Sequence, residues 1–253
     1  AGAHRSQARA AKACCGACGY SPVRGGRPCI HNAVMDIENG SQVGGVMLKT
    51  VDIDALSLSR GERVLFQGLS LRLSAGEAVA LTGANGAGKT SLLRAVAGFI
   101  RPDSGAITFG GADGKALDSE TARRDGVHLL GHLEGLKPTR TARQEFDFQT
   151  AWLGGSAAAR EAATARLSLT PLLDLETRKL SAGQKRRLSL ARLVAAPRAL
   201  WLLDEPLAPL DERWRAVAAE LMAGHLAAGG MILAAVHDPL PVPARALDLG
   251  GLA

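Results

Sequence analysis

Ala78-Val79-Ala80-Leu81-Thr82 runs directly into Gly83-Ala84-Asn85-Gly86-Ala87-Gly88-Lys89-Thr90-Ser91. The first five residues are short and nearly all apolar, the mark of a strand buried on both faces. Gly83 to Thr90 fits the glycine-rich phosphate-loop pattern in full, and the residues from Ser91 to about Gly98 read as the helix that follows it. Glycine at Gly83, Gly86 and Gly88 lets the backbone curve tightly, so that the amides of Ala84, Asn85, Ala87 and Ser91 can converge on phosphate oxygens. The start of a helix adds its dipole to that cradle. Lys89 brings a point charge for the β- and γ-phosphates, and Thr90 offers a hydroxyl to Mg²⁺. A merely glycine-rich turn explains neither side chain.

A second apolar run, Ala199-Leu200-Trp201-Leu202-Leu203, ends in Asp204-Glu205. A buried strand of this kind delivers Asp204 to the mouth of a phosphate site, where it can hold Mg²⁺ directly or through water. Glu205, one residue on, is placed to orient an attacking water or accept its proton. Asp-Glu after a strand also caps helices, so this pair gains its meaning from the phosphate loop upstream.

Around these two segments the chain alternates strands and helices. Val51 to Leu58 and Val64 to Leu73 alternate as strands about the turn Arg60 to Arg63, and Ala106 to Phe109 and Val127 to Leu130 are further short strands. Residues 138–196 are helical and rich in Ala and Arg, with weak breaks at Gly154-Gly155 and Thr170-Pro171. A helix over about 212–228 and the strand Met231 to Val236 complete the pattern. Interleaved strands and helices predict an α/β core with an antiparallel β region on its N-terminal side. The helical block, about 133–196, predicts a subdomain inserted into that core.

Composition fits this class and excludes others. Apolar residues make up 47% of 253, enough for a core, while aromatics at 4% are too few for base-stacking platforms on single-stranded nucleic acid. The net charge of +6 is modest, and a domain that handles a triphosphate needs no DNA to explain it. No run approaches 18 consecutive apolar residues, so no membrane span is expected, nor is a secretory signal.

Residues 1–46 differ from the rest. They hold five Lys/Arg against two acids and all four cysteines, Cys14, Cys15, Cys18 and Cys29, with His31 nearby. Cys15 and Cys18 have zinc-site spacing, but the surrounding Gly/Ala/Arg-rich sequence reads as an unpatterned extension whose thiols are inessential. Met47 stands just before the first patterned segment, so the extension is read as disordered tail or as an artefact of the assumed start.

Leu180-Ser181-Ala182-Gly183-Gln184 resembles the signature motif of the ATP-binding cassette (ABC) family. Ala208-Pro209-Leu210-Asp211 is similar to that family's D-loop, and His237 to its switch histidine. The order of these motifs covers roughly residues 48–240. The resemblance implies a head-to-tail homodimer with ATP and Mg²⁺ at the interface. Lys89, Thr90, Asp204, Glu205 and His237 of one copy would meet Ser181 and Gly183 of the other. Ser181 is a plausible helix N-cap, and Lys185, Arg186 and Arg187 are expected on a solvated or nucleotide-facing side of that helix.

Two positions depart from the family pattern. His132, in Leu130-Gly131-His132-Leu133-Glu134, stands where a glutamine is usual at the hinge of the helical subdomain. Arg60 stands near the usual adenine-stacking aromatic, and could lie over the base or simply be an exposed turn arginine. The Gly131-His132 pair with Gly135-Leu136-Lys137-Pro138 and Thr141-Ala142-Arg143-Gln144-Glu145 is similar to ATP-binding subunits of cytochrome c maturation transporters. That likeness implies a peripheral subunit on the cytoplasmic face of the bacterial inner membrane, with a multispanning partner and no nucleic acid. It further implies heme export or delivery to a periplasmic heme chaperone. A subunit of another importer or exporter, a soluble ABC protein acting on DNA or ribosomes, and a non-hydrolysing regulator are the rivals. The last is disfavoured by Glu205 and His237.

Overall fold

The computed structural model describes residues 48–250. The extension and its four cysteines, His31 and Met47 lie outside the described residues.

Two long strands open the domain, β1 (Leu48–Arg60) and β2 (Arg63–Ser74), paired antiparallel. They are joined in one sheet by β4 (Ser104–Gly111) and β5 (Ala116–Leu117), in the order β2-β1-β4-β5. A second, parallel sheet holds β3 (Ala78–Thr82), β6 (Val127–Leu130), β7 (Leu200–Asp204), β8 (Met231–Ala235) and β9 (Arg245–Asp248), in the order β6-β7-β8-β3-β9. Helices α1 (Lys89–Val96), α2 (Ser119–Gly126), α3 (Ala142–Trp152), α4 (Ala157–Arg166), α5 (Ala182–Ala195) and α6 (Glu212–Ala227) fill the connections.

Alternation along the buried strands divides the interior in two. Val79, Leu81, Leu200, Leu202 and Leu233 face the antiparallel sheet and α1, where Phe66, Leu92, Leu93 and Phe109 complete one core. Ala78, Ala80, Trp201, Leu203 and Ile232 face the other way and pack with α5, α6 and the helical insert. Burial on both faces explains why β3, β7 and β8 read as unbroken apolar runs.

The fold agrees with the expected α/β core, antiparallel N-terminal sheet and inserted helical subdomain. The helical block is more broken than its composition suggests. Gly154 (φ 84°) and Gly155 separate α3 from α4, and two turns of 3₁₀-helix at Thr170–Leu172 and Thr177–Lys179 precede α5. Short α2 and the edge strands β5 and β9 carry too few apolar residues to announce themselves in the sequence.

The reading of α5 needs a correction. Lys185 is half-buried, but Arg186 and Arg187 are buried within the domain rather than solvated. Arg187 lays its guanidinium over the Trp214 ring, 4.2 Å from the centroid, and donates to the Leu167 carbonyl at 3.1 Å. Long aliphatic stems and planar heads let arginine line an interior wherever carbonyls and rings receive it.

Candidate functional site

The site forms at the carboxyl ends of three neighbouring strands, β7, β8 and β3, the edge where open parallel sheets bind ligands. From β3 the chain enters the phosphate loop. Gly88, the N-cap of α1, has φ 100°, a conformation that side chains disfavour. A Cβ there would also stand 3.0 Å from Phe66 and 3.1 Å from Leu65, so the loop rests against β2 through a residue that must be glycine.

Lys89 begins α1 and turns back across the loop. Its ammonium donates to the Gly83 carbonyl at 2.5 Å and approaches the Ala84 carbonyl at 3.4 Å. Thr90, next on the helix, sets its hydroxyl 3.1 Å from each carboxylate oxygen of Asp204. Asp204 ends β7 and is only 4% exposed. A buried carboxylate whose direct partner is a neutral hydroxyl is an all-oxygen donor pair suited to Mg²⁺.

Glu205 leaves the strand by a left-handed step, φ 47°, unusual for a residue with a side chain. Its amide donates to the Ala235 carbonyl at 2.9 Å, which extends the β7–β8 ladder and holds the turn in place. The turn brings the carboxylate to His237, just past β8, with Nε2 3.2 Å from Glu205 Oε1. A cleft of about 400 Å³ unites these groups with Arg60 and the loop from Ala84 to Ser91.

Gly83 contributes its carbonyl at the foot of the loop. His132, Ser181 and Gly183 stand apart from the cleft wall. His132 is exposed on the loop that leaves β6. Ser181 caps α5, its hydroxyl accepting from the Gln184 amide at 3.2 Å while the Gln184 side chain accepts from the Ser181 amide at 2.8 Å. Gly183 packs against the segment after Glu205, because a Cβ there would lie 2.8 Å from the Pro209 carbonyl. The cleft also includes Leu65 and Arg94, which sequence reasoning missed. Arg94 follows Thr90 by four residues and shares its helix face, a signal that was available. Leu65 arrives from the β1–β2 hairpin, and nothing local foretells it.

Fold and cleft together define an ATP-binding cassette domain. The ABC transporter family model matches residues 66–208, and the chain belongs to that family as an ATP-binding subunit. It is 46% identical over 200 residues to the cytochrome c biogenesis ATP-binding export protein CcmA of Nitrobacter winogradskyi, covering 79% of this chain and 98% of that protein. The CcmA protein of Rhodopseudomonas palustris strain BisB18 is 47% identical over 194 residues, covering 77% of this chain and 94% of the relative. An ABC transporter ATP-binding protein of Pyrococcus furiosus shares the fold, with a TM-score of 0.69 at 18% identity over 81% of this chain and 99% of that one. The chain is thus an ABC-type ATPase, homologous to CcmA, and ATP and Mg²⁺ are the cofactors of its family.

Proposed function

We propose that this protein is the ATP-hydrolysing subunit of a membrane complex for c-type cytochrome biogenesis, driving heme export or delivery to a periplasmic heme chaperone. The observation that carries the reading is 46% identity across 98% of a relative named for that process. The corresponding place is the cytoplasmic face of the bacterial inner membrane. Residues 47–253 form the ATPase domain, with the helical subdomain at about 133–196.

Among the described residues no helix is long and apolar enough to cross a membrane. In this reading the partner is a multispanning membrane subunit. A surface for it lies beside the hinge loop. Leu133 is 85% exposed, and α3 carries Phe148 and Trp152 one turn apart, with Trp152 83% exposed. Gln149 between them donates to the Gly135 carbonyl at 3.4 Å, which ties the loop to that helix. Exposed apolar groups gathered in this way suit a protein partner.

The geometry of the cleft supports the following route to hydrolysis. Lys89 releases its carbonyl partners to meet the β- and γ-phosphates, and the loop amides hold the remaining oxygens. Glu205 positions a water for attack on the γ-phosphorus, and His237 contacts the same phosphate while steadying the Glu205 carboxylate. Thr90 and Asp204 would hold Mg²⁺, which supplies charge neutralisation to the triphosphate when bound. Ser181 and Gly183, apart from their own cleft, complete the site of a second copy in a head-to-tail dimer. Arg60 lines the cleft, and in this reading its guanidinium would lie over the base.

The test is to purify the tagged Glu205→Gln chain with ATP from gently solubilised membranes and identify what accompanies it by mass spectrometry. Recovery of a multispanning cytochrome c maturation protein is expected. Recovery of an unrelated permease would remove the heme assignment and leave the ATPase.

A further inference from the structure

Arg186 stands on the first turns of α5, five residues beyond Ser181, and is 2% exposed. Its Nε lies 3.1 Å from Oε1 of Glu134, and its Nη1 donates to the Gly131 carbonyl at 3.1 Å. These two partners bracket His132 and Leu133 in the loop that leaves β6. The guanidinium also lies in the field of Asp204 and Glu205 at the end of β7. Burial lowers its pKa, and Glu134 first, then the two site acids, oppose that shift. One buried cation of α5 therefore holds the loop that leaves β6, while Gly183, three residues earlier on the same helix, packs against the segment after Glu205.

The pair with Glu134 is incompletely satisfied. Glu134 Oε2 and Arg186 Nε are buried without a hydrogen-bond partner. Buried charges in such a state are held in place by few bonds, so the pair is sensitive to small shifts of the loop. Arg192, further along α5, reinforces the same loop by donating to the Leu129 carbonyl at 3.2 Å and to Gln149 Oε1 at 2.8 Å. Arg192 ties the end of β6 to α3. Arg186 ties the loop beyond β6 to the start of α5, where Gly183 packs against the segment after Glu205.

We propose that Arg186 is a positioning residue for ATP hydrolysis, acting through Glu134 and Gly131 to hold the hinge loop in register with Asp204 and Glu205. The inference rests on the reading of the cleft as the hydrolytic site. It assigns the link between hinge and cleft to a side chain of the signature helix. ATP binding, which uses the phosphate loop, is outside its reach. Turnover, which needs Glu205 and the hinge in one arrangement, depends on it.

The experiment measures steady-state ATP hydrolysis by the full chain, in the assembly with which it purifies, for Arg186→Met, Arg186→Lys, Glu134→Gln and the double variant Glu134→Gln/Arg186→Met. Arg186→Met is expected to lower kcat about 10-fold with KM for ATP within about twofold, and Arg186→Lys to recover about half the lost rate. Glu134→Gln should resemble Arg186→Met, and the double variant should be no slower than either single one, because both report one contact. Arg186→Met strands Glu134 and can fail to fold; the double variant strands no charge and carries the test alone in that case. Parent-like kcat in the double variant would overturn the proposal. So would additive losses, a raised KM at constant kcat, or equal damage from lysine and methionine at position 186. A parallel Glu205→Gln control that kept full turnover would place the error in the reading of the cleft and remove the proposal with it.

Discussion

The Thr90 hydroxyl lies 3.1 Å from each carboxylate oxygen of Asp204, so the first turn of α1 and the last residue of β7 meet through one side-chain contact. The two segments are 114 residues apart in the chain. Their meeting point is where the cleft offers oxygen ligands. Asp204→Asn removes the carboxylate proposed to hold Mg²⁺ and keeps the shape. We expect half-saturating Mg²⁺ to rise about 10-fold and turnover to fall at least about 100-fold, read from hydrolysis across a Mg²⁺ titration. Unchanged Mg²⁺ dependence would move the metal site elsewhere.

Glu205→Gln keeps the size of the side chain and its place beside His237, but removes its basicity. ATP affinity should stay within about twofold of the parent while turnover drops by about 100-fold or more. Glu205→Gly separates the two demands on this position. Glycine accepts φ 47° without strain, so this variant should gain roughly 1 kcal/mol of stability and lose turnover. Chemical denaturation and hydrolysis on the same preparation check both. A destabilised, inactive Glu205→Gly variant would show that the left-handed turn stores no strain.

Gly183→Ala places a methyl carbon 2.8 Å from the Pro209 carbonyl, closer than real contacts allow. The start of α5 must then draw away from the segment after Glu205. We expect turnover to fall about 10-fold and thermal stability to drop by about 1–3 kcal/mol, the range for an overpacked buried contact. A melting temperature and a hydrolysis rate both at parent values would mean that the two segments are free to separate.

One buried histidine, His128, and one half-buried one, His225, make the domain sensitive to acid. Burial pushes His128 down to about 3, although the Ala196 carbonyl, 2.5 Å from its Nε2, opposes the shift. Burial likewise lowers His225 to about 4, where its ring stacks on Trp201 at 3.9 Å. Both are neutral in the folded protein, while the unfolded chain takes up protons near pH 6.5. Stability is therefore full above about pH 6.5 and falls below it, down to about 4 for His225 and about 3 for His128. Each contributes a limiting slope of about 1.4 kcal/mol per pH unit. His225→Phe, which preserves a ring against Trp201, should remove its share of the slope in denaturant melts between pH 6.5 and 4.5. An unaltered slope would rule His225 out as a contributor.

Much of this was legible in the sequence because it depends on local pattern. The run Ala78 to Thr90 contains its own strand, loop and helix start, and Ala199 to Glu205 contains the strand that answers it. The left-handed turn of Glu205 has no such signature, since an ordinary glutamate follows an ordinary strand. Arg186 and Arg187 misled for a related reason. Adjacent arginines on a helix look solvated until Glu134, the Gly131 carbonyl, Trp214 and the Leu167 carbonyl arrive from distant segments. Leu65 enters the cleft by the same kind of long-range placement. His132 was placed on the hinge by resemblance, and its separation from the cleft became visible only in three dimensions.

The adjacency of β7, β8 and β3 has a consequence for how such a domain can change over time. Each strand hands one working segment to the same edge, and the ladder fixes Leu203 opposite Ala234 and Ala80 opposite Ala234 in turn. Side chains alternate between two cores along these strands, so inserting or deleting one residue within β8 would exchange its faces and displace His237 along the edge. Point substitutions of similar volume are tolerable at many of these positions, but changes of length are not. Insertions should therefore accumulate in the turns around Gly154 and Gly155, away from the ladder, when natural variants of this chain are collected.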